Sequence, residues 1–203
     1  MRFRFGPLVL LAALCASPAA TTPAQQVIAL PHLDANNLSG AWYEIARYPN
    51  KREKVCTGDA QELVTLDDKD RRLQLVDSCT AAKGYTETHN YIAKIDKQTD
   101  GKLKIPQFFP FSRPYWVLAM ATDNSWLVIG EANHKSLWIF AKTPTLDPAT
   151  LAVVEAFTTA AGFSTSPLVF SPQKGYTASA AQAVATPVQS KPSAPPPAAP
   201  ATK

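Results

Sequence analysis

The residues with the most chemistry to offer are few. Cys56 and Cys79 flank a stretch with hairpin patterning, and Cys15 lies apart near the N-terminus. His32, His89 and His134 are far from one another, with no two at helix or turn spacing, so no metal site is expected. Glu44 shares an extended stretch with Trp42 and reads as a structural carboxylate rather than a catalytic acid. The sequence has no Gly-Xaa-Ser-Xaa-Gly elbow, phosphate loop, Gly-Xaa-Gly-Xaa-Xaa-Gly or His–carboxylate pair at recognisable spacing. These absences argue against an enzyme without excluding one, and no cofactor is expected.

The N-terminus bears on the cysteines. Arg2 and Arg4 precede an apolar run from Pro7 to Leu14, followed by small residues from Cys15 to Ala20. This reads as a secretory signal, cleaved after Ala19 or elsewhere between Ala16 and Ala24. Cys15, with its Ala/Ser/Thr/Pro spacer, also resembles a bacterial lipoprotein signal, although Leu14 stands where a small residue is usual. A lipidated Cys15 would tether the protein to a membrane; otherwise the cysteine leaves with the signal. Residues 1–25 are thus assigned to signal and spacer. In an exported chain the remaining pair, Cys56 and Cys79, suggests one disulfide, the alternative being two free buried thiols. The net charge of +4 is mild and the basic residues are scattered among acids, so nucleic acid is not an expected partner.

Chemistry at these positions requires elements to hold them. A turn at Ser39-Gly40 opens into a strand through Tyr48, with period-2 alternation placing Trp42, Glu44, Ala46 and Tyr48 on one face. Cys56–Leu66 and Arg72–Cys79 form the arms of a hairpin turning at 67–70, which brings Cys79 opposite 56–58. Strands follow over Tyr85–Ile95, Lys102–Pro106, Tyr115–Ala121, Trp126–Glu131 and Leu137–Lys142. The aromatic loop Phe108-Phe109-Pro110-Phe111 must be buried or line the mouth of a pocket. Asp147-Pro148 caps a helix reaching Ala161, with Gly162 as its C-cap, and 166–170 gives a last short strand or extended piece. From 177 to 203 the chain is rich in Ala and Pro, lacks aromatics and is expected to be a disordered tail. The globular domain is therefore 26–176.

Eight antiparallel strands leave exposed edges unless they close into an up-and-down barrel, which has room for packed side chains or one small ligand. Gly40-Ala41-Trp42-Tyr43-Glu44-Ile45-Ala46-Arg47 resembles the N-terminal lipocalin signature. Pro114–Ala119 with Ala121-Thr122-Asp123 is similar to the second lipocalin region, and Leu137–Pro144 to the third. The resemblance spans about 30–173 and is nearest the bacterial outer-membrane lipocalin and apolipoprotein D branch. It implies a mainly β fold, an eight-stranded barrel closed at one end with one flanking helix. It also implies non-catalytic storage or transport of a small hydrophobic ligand, such as a fatty acid or lysophospholipid, in the periplasm or outer membrane. A lipocalin-fold enzyme and a partner-binding module with a solid barrel remain alternatives. The oligomeric state is left open.

Gly40, Trp42, Thr122, Asp123 and Lys142 are the structural signature positions. Lys142 stands where the family usually has an arginine over the signature tryptophan. Strand parity and family position nominate Trp138, Phe140, Tyr115, Val117, Phe109 and Phe111 as ligand contacts. Gln61, Asp77 and Tyr91 are candidates to orient a headgroup.

Overall fold

Gly40 begins β1 (Gly40–Arg47) with φ of 99°, a backbone conformation that side-chain-bearing residues rarely adopt. In a computed structural model of the chain, which describes residues 25–174, β1 is the seam at which a barrel closes. The expected signal and spacer, Cys15 and the 177–203 tail lie outside the described residues. Up-and-down strands follow as β2 (Cys56–Asp67), β3 (Arg72–Ala81), β4 (Thr86–Ile95), β5 (Lys102–Pro106), β6 (Ser112–Met120), β7 (Trp126–Gly130) and β8 (Leu137–Ala141). All neighbours pair antiparallel, and β1 pairs with both β2 and β8, so the eight-stranded sheet has no free edge. The connections β1–β2, β3–β4, β5–β6 and β7–β8 share one end, the mouth; the others share the closed end.

The alternation expected along β1 fails beyond Glu44. A bulge between Glu44 and Ala46 shifts the register against β8. Trp42 and Glu44 face inward, but Ala46 then joins Ile45 in the outer layer and Arg47 turns inward. An extra residue on one strand reverses the side-chain parity that follows it, and nothing in the residue types announces it.

Two seams are incomplete. β1 pairs with β2 only over Gly40–Tyr43. Nearer the mouth that edge of β1 is taken by β9 (Val169–Phe170), and Gln173 bridges the split by donating to Glu44 O (2.9 Å) and Ala60 O (3.1 Å). β4 and β5 pair only at Lys94–Lys104 and Ile95–Leu103, so their mouth halves diverge.

Inside the barrel, Trp42, Val64, Leu73, Leu103, Val117, Leu127 and Ile129 fill the closed half. A second apolar layer lies between the outer wall and α1 (Pro148–Ala160), which buries Val154 and Thr158. Asp147 caps α1 by accepting from Ala149 N and Thr150 N, both at 3.0 Å, and Gly162 with positive φ ends it. Cys56 and Cys79 are joined by a disulfide across β2–β3 near the mouth.

At the closed end Lys142 Nζ lies 3.6 Å from the centroid of Trp42 and donates to Ser39 O (3.0 Å) and Ala41 O (3.4 Å). The Trp42 indole donates to Leu38 O at 2.7 Å. Asp123 accepts from Ser125 N and shapes the exposed β6–β7 turn beside Thr122.

Candidate functional site

The mouth half of the barrel is hollow. A cavity of about 310 Å³ opens among the β1–β2 loop, β2, β3, β4, β6 and β8. Its apolar wall includes Leu75, Ile105, Tyr115, Trp138 and Phe140. Of the sequence-nominated contacts, Trp138, Tyr115, Phe140, Tyr91, Gln61 and Asp77 line it.

Three do not. Val117 points inward but lies lower, fully buried in the packed half. Phe109 and Phe111 are exposed to solvent and take no part in the cavity wall. The expectation that the Phe loop is buried or borders the pocket fails: the β5–β6 connection is a tight turn whose phenylalanines are exposed and outside the cavity lining. Its Phe111 N–H bonds to Phe108 O at 2.6 Å.

The floor of the cavity is polar. Glu62 on β2 stands opposite Asp77 on β3, and Tyr115 donates its hydroxyl to Glu62 Oε2 at 2.8 Å. Burial pushes the Glu62 carboxyl well above its ordinary range, and the neighbouring Asp77 adds to this. Asp77 is itself raised to about 6, again chiefly by burial. Two carboxyls this close share protons more readily than both ionise. Burial and both acids push the Tyr115 hydroxyl up.

Above the floor, Arg113 from β6 crosses the cavity. Its guanidinium carbon is 5.8 Å from the ring centroid of Tyr91, 5.9 Å from Tyr115 and 5.7 Å from Trp138. Arg52 lies over the other part of this box, 5.2 Å from the Tyr91 centroid. Burial and the nearby Arg52 lower the Arg113 pKa. Its Nε is buried with no hydrogen-bond partner among the described residues, as is Asp77 Oδ1.

A second polar group seals the wall. Arg47 Nη1 bonds Glu44 Oε1 at 2.8 Å, and its Nε pairs with Glu53 Oε2 at 2.5 Å. Ser171 also hydrogen-bonds Glu44, and the Trp138 indole donates to Glu53 Oε1 at 3.1 Å. Glu44 is therefore a hydrogen-bonded structural carboxyl group, and although it shares the inward face of β1 with Trp42 it sits in the cavity wall, away from the closed end. Burial, reinforced by Glu53, raises it to about 8.

Glu62, Arg113, Arg52 and Glu53 were not nominated from sequence. Glu62 was within reach of it: a hairpin turning at 67–70 pairs Leu66 with Leu73 and so Glu62 with Asp77. Arg113 precedes a proline and offers no such signal.

The sequence model of the lipocalin-like domain matches residues 33–173. The chain is 27% identical to the outer membrane lipoprotein Blc of Citrobacter freundii, over 81% of this chain and 92% of that protein. It is 27% identical to temperature-induced lipocalin-1 of Arabidopsis thaliana, over 70% of this chain and 80% of the relative. Among solved structures, insecticyanin of the tobacco hornworm Manduca sexta superimposes with a TM-score of 0.58 at 20% identity, covering 76% of this chain and 87% of its own. The cockroach allergen Per a 4 gives 0.57 at 19%, covering 71% and 90%. With the family matched over the span in which the barrel closes, the chain belongs to the lipocalins.

Proposed function

We propose that this lipocalin is a non-catalytic carrier of a single-chain amphiphile with an anionic group, such as a fatty acid or lysophospholipid. It is an exported protein of the bacterial periplasm or outer membrane, as its Blc relatives are outer membrane lipoproteins. The observation that carries the reading is Arg113, a cation held inside an aromatic box with its Nε unpartnered among the described residues. Below it burial raises the Glu62 carboxyl well above its ordinary range and so weakens it as a counter-charge to the guanidinium. A carboxylate or phosphate would supply one, with Arg52 beside it. The alkyl chain would lie along Leu75, Ile105, Phe140 and Trp138.

The size agrees. About 310 Å³ is at the small end of ligand pockets, roughly 300–1,000 Å³, and suits one chain rather than two. Chain burial stabilises by about 0.8 kcal/mol per methylene. Ligand titration with palmitate or lysophosphatidylglycerol, followed by tryptophan emission, tests the reading. Binding is expected, and Trp138→Ala should blunt the signal. Arg113→Gln should weaken affinity about tenfold or more, the worth of a charge-assisted hydrogen bond. Failure of native mass spectrometry to capture any such lipid would overturn the proposal.

A further inference from the structure

The cavity leaves the β5–β6 turn without a role. Phe108, Phe109 and Phe111 are 71%, 98% and 60% exposed. The turn is nevertheless ordered: Gln107 N–H bonds Phe111 O at 3.1 Å, and the rings of Phe108 and Phe111 lie 5.0 Å apart. Three adjacent phenyl groups held out into water form a patch that needs an apolar partner.

The rest of the rim specifies that partner. The other mouth connections present Val55 and Tyr85, both exposed. They also present Lys51, Lys54, Lys83 and Lys135, all exposed. The acids of the same loops are turned inward: Glu53 pairs with Arg47, and Glu131 is buried. The closed end differs, its turns mixing Asp70, Asp96, Asp100 and Asp123 with Lys69, Arg71 and Lys97. One end of the barrel is thus aromatic and cationic, the other of mixed charge with several of its acids ion-paired.

We propose that the mouth docks on a lipid bilayer containing anionic phospholipid. The phenylalanines enter the boundary between headgroups and acyl chains, and the lysines face lipid phosphates. Lysines spread over three loops around the rim match an extended anionic plane better than one acidic segment of a protein. Docking in this orientation places the divergent β4–β5 seam at the membrane, with Tyr91 on β4 and Arg113 on β6 beyond it. Aromatic insertion and lysine attraction are each sufficient to shift partitioning measurably.

The test uses the full exported protein carrying Cys15→Ser, so that no acyl anchor contributes. It is sedimented with vesicles of phosphatidylcholine alone or mixed with phosphatidylglycerol. Binding is expected on the mixed vesicles, falling with added salt. The pair Phe109→Ser and Phe111→Ser should reduce partitioning about tenfold or more. The pair Lys54→Glu and Lys83→Glu, both outside the cavity lining, should do the same on anionic vesicles. All four side chains are exposed, so thermal unfolding should be unchanged in these variants. Equal binding to both vesicle types, or binding that neither pair alters, overturns the proposal. So does a dimer in light scattering that the Phe109→Ser and Phe111→Ser pair dissolves, because a second copy then covers the patch. Palmitate titration of the same variants in solution reads the cavity separately, so failure of docking and failure of the ligand reading give different results.

Discussion

Lys142 shows how one side chain can hold a fold's closed end without the residue the family usually places there. Its ammonium lies over Trp42 and satisfies two carbonyls of the β1 lead-in, Ser39 and Ala41. Lys142→Met should cost about 1 kcal/mol in chemical denaturation, the cation–π contribution at a partly exposed site. Lys142→Arg, which adds planar stacking and a fork of donors, should equal or modestly exceed the parent in melting temperature. A clear drop would count against the assigned role. Glu44 gives a pH-dependent test. Its folded pKa of about 8 lies above the ordinary 4.5, because burial outweighs the attraction of Arg47. The folded state therefore binds this proton more tightly than the unfolded chain. The stabilisation is full below about 4.5 and is lost as pH rises through about 8. Glu44→Gln, measured by thermal melts at pH 5 and pH 8, should show a smaller decline than the parent. At this scale the signature positions came from the family resemblance, and the wall positions Trp138, Tyr115 and Phe140 from that resemblance together with strand parity, which is a local property. The Phe loop was not legible, because whether an apolar turn is buried depends on what the rest of the barrel packs against it, which no local pattern carries.

The strands themselves were legible almost to their ends, since hairpin links and period-2 patterning leave few alternatives. Seams were harder. The parity reversal in β1 comes from a bulge that no residue announces, and it decides that Arg47 enters the wall. The short β9 was expected as a last short strand or extended piece over 166–170, but not its pairing; its register shows it replacing β2 beside the mouth half of β1. Gln173, two residues past Ser171, then supplies the donors that β1 and β2 fail to offer each other. Gln173→Leu removes both bonds while keeping the volume, leaving two buried carbonyls without this donor. Equilibrium unfolding in urea should register a loss of about 1–3 kcal/mol. An unchanged midpoint would mean that β9 is packed on the seam without closing it.

The whole molecule divides into a solid half and a hollow half, and β5 crosses the boundary. Leu103 and Ile105 share the inward face of this strand, and both are almost fully buried. Leu103 packs among Leu73, Leu127 and Ile129 in the closed half, whereas Ile105 borders the cavity. Truncation should therefore have different consequences two residues apart. Leu103→Ala opens a void in close-packed surroundings and should cost about 2–5 kcal/mol. Ile105→Ala enlarges space that already exists, so it adds little new cavity and should cost distinctly less. Its effect should fall on binding: a wider cavity should favour longer or branched alkyl chains over palmitate. Leu103→Ala should leave the order of ligand preference unchanged. Denaturation midpoints and fatty-acid titrations on the two variants separate these outcomes. Equal stability losses, or a shift in chain preference from Leu103→Ala, would mean that floor and cavity are one deformable core and that the barrel is not partitioned.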